Sequence, residues 1–213
     1  MKPIYIVFTG GCHSGKTTSI QIIKKILEEK KKIVYIFSEI IRSHNIGSID
    51  EIRSDANKYM DLQNQIINEK IDMELSMLNY EDETHDTYVL VDRAITDSLF
   101  YLTFYTNKNE FNDDCKEKFI YTFNRINNHL SNIRNIYNYI LEFKPLNKIQ
   151  ENDSFRPINL DEMKDVEYNL IHQYNVANFN SLSGYKQIDL NNIPKEQMYD
   201  YWKQYLQNNE MIA

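Results

Sequence analysis

The sequence contains little of what a secreted or membrane-embedded protein needs. Only two cysteines occur among 213 residues, which argues against a disulfide framework and favours a reducing compartment. No apolar run approaches the roughly 18 residues of a transmembrane helix, and the apolar run near the N-terminus is too short for a signal peptide. We therefore expect a cytoplasmic protein that does not insert into a membrane.

Basic residues are also fewer than acidic residues. The chain carries 24 lysines and arginines against 31 aspartates and glutamates, which gives a formal net charge of −7. This balance argues against a protein that binds duplex nucleic acid through its phosphates, but it is compatible with a local basic pocket. Arginine suits bidentate phosphate recognition best, and the chain has six of them: Arg42, Arg53, Arg93, Arg125, Arg134 and Arg156.

Glycine is scarce as well, yet three of the five glycines lie within the short stretch from Gly10 to Gly15. The segment GGCHSGKTT fits the pattern G-x-x-x-x-G-K-[ST], the Walker A motif or P-loop, with Lys16 and Thr17 in its last two fixed positions. Glycine lets successive backbone amides turn inward around an anion. The segment is therefore a candidate phosphate-binding loop.

The flanks of this segment match the context of a phosphate site. An apolar run at residues 4–8 precedes it, and a helical pattern with Ile20, Ile23 and Leu27 on one face follows it. The N-terminus of a helix offers free N–H groups and the positive end of the helix dipole, and both favour anions. Strand, loop and helix together predict a nucleoside triphosphate site, whereas the alternative is a tight turn without a ligand.

Each residue of the loop then has an expected role. Lys16 reaches the β- and γ-phosphates, and the hydroxyl of Thr17 is a ligand of Mg²⁺. Thr18 contacts the α-phosphate or is an ordinary residue of the first helical turn. The predicted nucleotide-binding residues are Gly10, Gly11, Cys12, His13, Ser14, Gly15, Lys16, Thr17 and Thr18.

Strand and helix patterns alternate along the rest of the chain, which predicts a single domain over residues 1–213 with a parallel sheet covered by helices on both faces. The predicted strands are 4–9, 33–37, 88–91, 139–143 and 187–190. The predicted helices are about 16–31, 54–78 and 97–105, one after a loop within 107–135, one ending near 178 and one starting near 194. A polar segment at about 147–165 is the candidate lid.

Polar side chains just after the strands are the next candidates, because ligands of parallel sheets collect beyond the carboxyl ends of the strands. Glu39 follows the second predicted strand, and Arg42 lies about one helical turn later. Asp92 directly follows the third strand, a Walker B-like placement that suits a ligand of Mg²⁺; the alternative is a helix N-cap. Arg93 is expected near the γ-phosphate, and its alternative is a salt bridge at the strand end.

Three further residues are candidates with structural alternatives. Asp97 either contacts the substrate or caps and packs a helix. Gln63, on the long predicted helix, either reads a base or lies on the helix surface. Arg156, in the polar segment 147–165, is expected to close over the phosphates and neutralise developing charge; its alternative is an exposed loop residue.

With these motifs the chain resembles the P-loop nucleoside and nucleotide kinases. It is similar to AAA-like ATPase/kinase domains and to nicotinamide riboside, deoxynucleoside and thymidylate kinases. The motifs that carry the resemblance are GGCHSGKTT, Glu39-x-x-Arg42, Asp92-Arg93-x-x-x-Asp97-x-x-x-Tyr101 and Asp153-x-x-Arg156.

The resemblance has consequences for the fold and for the ligands. It implies a three-layer α/β/α P-loop NTPase fold with a five-stranded parallel sheet, in which the strand before the P-loop lies beside the third strand. It also implies ATP, bound with Mg²⁺, as the phosphate donor. Glu39, Arg42 and Arg93 would then face the acceptor. Because kinases of this type are often dimers, a homodimer is one expected assembly.

These features predict a kinase that transfers the γ-phosphate of ATP to a nucleoside, a nucleoside monophosphate or a related small acceptor. Glu39 is the candidate base for a hydroxyl acceptor, whereas Arg42 and Arg93 would clamp a monophosphate. Two alternatives stay open: an NTPase switch that signals to a partner protein, and a kinase that acts on modified or terminal nucleotides of a nucleic acid. The predicted catalytic residues are Lys16, Glu39, Asp92, Arg93 and Arg156, and the predicted acceptor-site residues are Glu39, Arg42, Gln63, Arg93 and Asp97.

Overall fold

The computed structural model describes residues 2–44, 51–52, 54–78, 80, 86–106, 112–134, 136–147 and 160–212. Within them the strands form one five-stranded parallel sheet in the order β2-β3-β1-β4-β5. The predicted parallel sheet, with the first strand beside the third, is confirmed. The strands are β1 (Ile4–Thr9), β2 (Ile33–Phe37), β3 (Thr87–Asp92), β4 (Tyr137–Phe143) and β5 (Tyr185–Ile188).

Helices connect these strands and cover both faces of the sheet. Among the described residues, no helix is long and apolar enough to cross a membrane. The helices are α1 (Lys16–Glu29), α2 (Ala56–Leu78), α3 (Ile95–Thr106), α4 (Asp113–Ile133), α5 (Leu160–Phe179) and α6 (Met198–Asn208), with short 3₁₀ turns at Ile40–Ser43 and Lys195–Gln197.

Alternate residues of the central strand β1 pack into two separate apolar cores. Tyr5 and Val7 belong to the core that includes residues of α2, α3 and α4. Ile6 and Phe8 belong to the core on the other face, which includes residues of α1 and α6 and the fully buried Trp202. Because successive side chains of a strand point to opposite faces, a strand buried on both sides reads as a continuous apolar run. The predicted three-layer α/β/α architecture is confirmed.

Several element ends differ from the sequence prediction by one or two residues, and local hydrogen bonds accompany the differences in α1 and β5. Helix α1 ends at Glu29 rather than near residue 31, because Lys31 has a left-handed backbone with a φ of 61° and the N–H of Lys32 donates back to the Leu27 carbonyl. Strand β5 begins and ends two residues before the predicted 187–190. Its end coincides with a turn in which the side chain of Asp189 accepts from the Asn191 N–H at 3.0 Å.

The predicted polar segment 147–165 is only partly described. Helix α5 begins at Leu160, so residues 160–165 are helical rather than part of an irregular segment. Residues 148–159 lie outside the described residues, and the predicted lid cation Arg156 lies among them. The helix predicted within 107–135 is α4, and its first turn is capped by Asn112, whose side chain accepts from the Cys115 N–H at 2.8 Å.

Candidate active site

The loop between β1 and α1 has the backbone shape that an anion site needs. Gly10 and Gly15 have φ angles of 120° and 87°, and His13 has a φ of 49°, so all three adopt left-handed values. Gly10 is constrained further, because a Cβ there would lie 2.4 Å from the carbonyl oxygen of Phe143 in β4. Alternation of right- and left-handed residues turns successive N–H groups into a concave anion site. The loop therefore fits a polyphosphate.

Lys16 opens α1, and its side chain is folded into the loop. Its Nζ donates to the carbonyl oxygens of Gly10 and Gly11, at 2.8 and 2.6 Å, and to Ser14 Oγ at 3.0 Å. The residue is 6% exposed, and burial lowers the pKa of Lys16, with the cation of Arg93 acting in the same direction. The loop thus surrounds a buried amine that is poorly solvated. The three hydrogen bonds given for this amine all go to oxygens of the loop and none to a carboxylate.

The residues predicted to hold Mg²⁺ lie at the ends of α1 and β3. Thr17 is exposed in the first turn of α1, and Asp92 ends β3 in register with Phe8, near the end of β1. Among the described residues, no group of three or more His, Cys, Asp or Glu side chains could hold a metal ion. Proteins usually bind Mg²⁺ through one or two oxygen ligands while phosphates and water supply the rest. The roles of Thr17 and Asp92 as ligands of Mg²⁺ stay predictions.

Arg93 follows β3 in a conformation that non-glycine residues rarely adopt. Its φ is 77°, and its backbone N–H donates to the Phe8 carbonyl at 2.8 Å, so the chain turns sharply while it is still bonded to β1. Its Nη2 lies 4.0 Å from Cys12 Sγ in the phosphate loop. Left-handed residues outside glycine persist where surrounding contacts hold them, and they cluster at functional sites. The turn therefore places the guanidinium next to the phosphate loop.

Three carboxylates surround this guanidinium. Nε donates to Glu39 Oε1 at 2.5 Å, and Nη1 lies 3.5 Å from Asp97 Oδ2 and 3.8 Å from Glu167 Oε1. Burial alone would lower the pKa of Arg93, but Glu39 and the other anions raise it well above its usual value. The ion pair between Arg93 and Glu39 is the salt-bridge alternative considered for Arg93, and it brings two predicted site residues into direct contact.

Asp97 is fully buried beside Arg93, in the first turn of α3. The hydroxyl of Thr9 donates to its Oδ1 in a short hydrogen bond. Burial raises the pKa of Asp97 to about 6, although Arg93 and Lys16 act against this rise. Asp97 therefore joins the end of β1 to α3 inside the site, and its charge changes close to neutral pH.

Glu167 of α5 belongs to the site although the sequence analysis did not select it. Its Oε2 accepts from the Cys12 N–H at 3.0 Å, and its Oε1 accepts from the Tyr101 hydroxyl at 2.6 Å. Burial would raise the pKa of Glu167, but Arg93 and these hydrogen bonds lower it overall. No local motif marks this residue, because its partners come from the phosphate loop, the turn after β3 and helix α3, all far away in sequence.

The remaining predicted residues are placed less directly. Gln63 is 5% exposed within α2, which excludes its alternative as a surface residue. One turn earlier, the Tyr59 hydroxyl donates to the Tyr101 carbonyl at 2.6 Å and so joins α2 to α3. Arg42 lies in the 3₁₀ turn after β2, but its side chain is outside the described residues, as is the whole of Arg156. Contacts of these two arginines with a substrate stay predictions.

Two solved structures share this fold. The NadR protein in complex with NR aligns with a TM-score of 0.63 at 15% identity, over 99% of this chain and 52% of that one, so the chain spans about half its length. A thymidylate kinase from Candida albicans aligns with a TM-score of 0.52 at 16% identity, over 98% of this chain and 93% of that one. No curated protein matches the sequence significantly.

A family model described as AAA domain matches residues 5–184. The matched range includes β1, the phosphate loop, the ends of β2 and β3 that carry Glu39 and Arg93, and helix α5 with Glu167. It also covers most of the chain. The protein therefore belongs to this AAA domain family, with the fold of a P-loop nucleotide kinase.

Proposed function

We propose that the protein is an ATP-dependent kinase that transfers the γ-phosphate to a nucleoside, a nucleotide or a related small acceptor. The observation that carries this proposal is the contact between the phosphate loop and the Arg93–Glu39 ion pair. Arg93 lies 4.0 Å from Cys12 of the loop and 2.5 Å from Glu39. A cation and a carboxylate beside a triphosphate site are the two kinds of group that a phosphoryl acceptor requires.

The donor half of the site works mainly through positioning. The Cys12 N–H donates to Glu167. The other backbone amides of residues 11–17 and the ammonium of Lys16 bind the phosphate tail and offset the charge that spreads over the transferring group. Thr17 and Asp92 would hold Mg²⁺, which would supply positive charge that offsets part of the charge of the phosphates. A preorganised environment of this kind lowers the barrier because it does not need to reorganise during the reaction.

The acceptor half supplies a base. In the proposed reaction the Glu39 carboxylate takes the proton of the acceptor hydroxyl, and the acceptor oxygen forms a bond to the γ-phosphorus. The bond between that phosphorus and the β–γ bridging oxygen breaks, and ADP leaves. Arg93 orients Glu39 through its Nε hydrogen bond, and Asp97 and Glu167 keep the guanidinium in place from its other side.

Consumption of ATP in the presence and absence of acceptors tests the proposal. The panel contains nucleosides, nucleoside monophosphates and a short single-stranded oligonucleotide with a free 5′ hydroxyl, and the products are separated and identified. We expect ADP formation that depends on a free nucleoside or nucleotide, with stoichiometric phosphorylation of that compound. Hydrolysis at the same rate without any acceptor would favour an ATPase of the AAA domain type instead, and activity confined to the oligonucleotide would favour a nucleic-acid kinase.

A further inference from the structure

We infer that the acceptor reacts through a hydroxyl and carries no phosphate group of its own. The inference rests on the proposed kinase function and excludes nucleotides from its acceptors. It follows from the charges that face Arg93 and from the hydrogen-bonding character of the groups that carry them.

The acceptor side of the site has more negative than positive charge among the described residues. Among the side chains that the structure describes there, the guanidinium of Arg93 is the cation, whereas Arg42 and Arg156 have side chains outside the described residues. Three carboxylates lie around Arg93, those of Glu39, Asp97 and Glu167. All three are shielded from solvent, with side-chain exposures of 15%, 1% and 7%. Lys16 is held by carbonyls of the phosphate loop, on the donor side.

Arg93 is also committed to these anions. Its side chain is 10% exposed, and each of its three nitrogens faces a protein group: Nε faces Glu39, Nη1 faces Asp97 and Glu167, and Nη2 faces Cys12 Sγ. The ring of Tyr101 covers the guanidinium, with its centroid 5.1 Å from Cζ. Its backbone is fixed by the hydrogen bond to Phe8. A phosphate bound to Arg93 would compete with Glu39, Asp97 and Glu167 for the same buried cation, and a buried carboxylate that loses its partner is strongly destabilised.

The chemical character of the site leads to the same class of acceptor. A carboxylate is only a hydrogen-bond acceptor, so it pairs with O–H or N–H groups of a ligand. A phosphate monoester near neutral pH carries between one and two negative charges, and its oxygens are acceptors as well. Charge and hydrogen bonding would therefore both oppose a monophosphate beside Glu39, Asp97 and Glu167, whereas a hydroxyl can donate to them.

Matched pairs of acceptors test this inference. Each nucleoside is compared with its own 5′-monophosphate at pH 8, where Asp97 is ionised, and kcat/KM is measured for both. We expect at least one nucleoside to be phosphorylated with a kcat/KM at least about tenfold above that of its monophosphate, because like charges in contact are strongly disfavoured. A preference for the monophosphate would overturn the inference while the kinase function stood, and acceptor-independent hydrolysis alone would overturn both.

Removal of the negative charge of Glu167 is a second test of the acceptor preference. Glu167→Gln keeps an oxygen that can accept from the Cys12 N–H or the Tyr101 hydroxyl, but it deletes one of the negative charges around Arg93. We expect the ratio of the kcat/KM for the nucleoside to that for the monophosphate to fall several-fold. The control is the same substitution at an exposed glutamate of α4, Glu117→Gln, which should leave this ratio unchanged. An unchanged ratio in Glu167→Gln, with a folded protein by thermal melting, would contradict the charge-based selection.

Discussion

Arg93 Nε and Glu39 Oε1 lie 2.5 Å apart although 54 positions separate the two residues in the chain. The register of the sheet accounts for this contact, because Phe37 at the end of β2 pairs with Val91 of β3. Glu39 lies two positions after Phe37, and Arg93 lies two positions after Val91. Because the two strands are parallel, both residues lie at the same edge of the sheet. The adjacency of the candidate base and its orienting cation is thus a property of strand pairing.

Replacement of Lys16 tests the donor side. Lys16→Ala removes the buried ammonium that the phosphate loop surrounds, and we expect turnover to fall on the order of 10²–10³-fold, as for the loss of one preorganised electrostatic contact. Steady-state kinetics with saturating acceptor measure the effect. Lys203→Ala, which removes an exposed lysine of α6, is the matched control and should retain full turnover. Near-normal turnover of Lys16→Ala would refute the assignment of the loop to catalysis.

Replacement of Glu39 tests the proposed base. Glu39→Gln keeps the size of the side chain and an oxygen that can accept from Arg93, but it cannot take a proton. We expect kcat to fall about 10²–10⁴-fold, the usual contribution of general-base catalysis, while ATP affinity changes little. Calorimetric titration with a non-hydrolysable ATP analogue measures the affinity, and Glu196→Gln is an exposed control. A parallel loss of ATP affinity would assign Glu39 to nucleotide binding instead.

The pKa of Asp97 makes a prediction about stability and pH. Its ordinary value is 3.8, and burial raises it to about 6 in the folded protein, so the folded state binds more protons than the unfolded state between these values. The contribution of Asp97 to the free energy of unfolding is therefore largest below pH 4 and is lost as the pH rises through about 6, by up to about 3 kcal/mol.

Urea unfolding of the wild type and of Asp97→Asn over pH 4 to 7 measures this contribution. The carboxamide does not titrate, so the stability of Asp97→Asn relative to the wild type should increase steadily as the pH rises. The difference between the two proteins isolates Asp97 from the other carboxylates, since those titrate in both. Two parallel stability curves would show that Asp97 has an ordinary pKa in the folded protein.

The sequence predicts the local parts of this site well and the long-range parts poorly. The phosphate loop is specified by Gly10 and Gly15, whose backbone angles are open to glycine alone at little cost, so its position follows from the motif. Asp92 and Arg93 are identifiable from the sequence because they directly follow a run of apolar residues, which the structure shows to be the buried strand β3 with Asp92 as its last residue. Their contact with Glu39 depends on the order of the strands, which no single segment encodes and which the resemblance to kinases supplied in part.

Glu167 lies beyond the reach of such local arguments. It is one of several acidic residues in α5, and only the packing of that helix against the phosphate loop distinguishes it. The loop and α5 are in contact at Gly11, where a Cβ would lie at an ordinary contact distance, 3.6 Å, from the Glu167 carboxyl carbon. A pattern of one residue type at one spacing does not record which helix packs on which loop, and so no sequence pattern distinguishes this carboxylate.

The hydrogen bonds of Glu167 lead to the last prediction. Glu167→Ala leaves the buried Cys12 N–H and the Tyr101 hydroxyl without this acceptor, so we expect the free energy of unfolding to fall by about 1–3 kcal/mol and the KM for ATP to rise. Glu167→Gln should recover most of the stability, because an amide oxygen still accepts a hydrogen bond, and Tyr101→Phe should cost less than Glu167→Ala. Urea unfolding and the separate measurement of KM and kcat distinguish these variants. If Ala and Gln lowered stability equally and left the KM for ATP unchanged, Glu167 would act through its charge alone, since the loss of the hydrogen bond to the phosphate loop would then have no effect on the nucleotide.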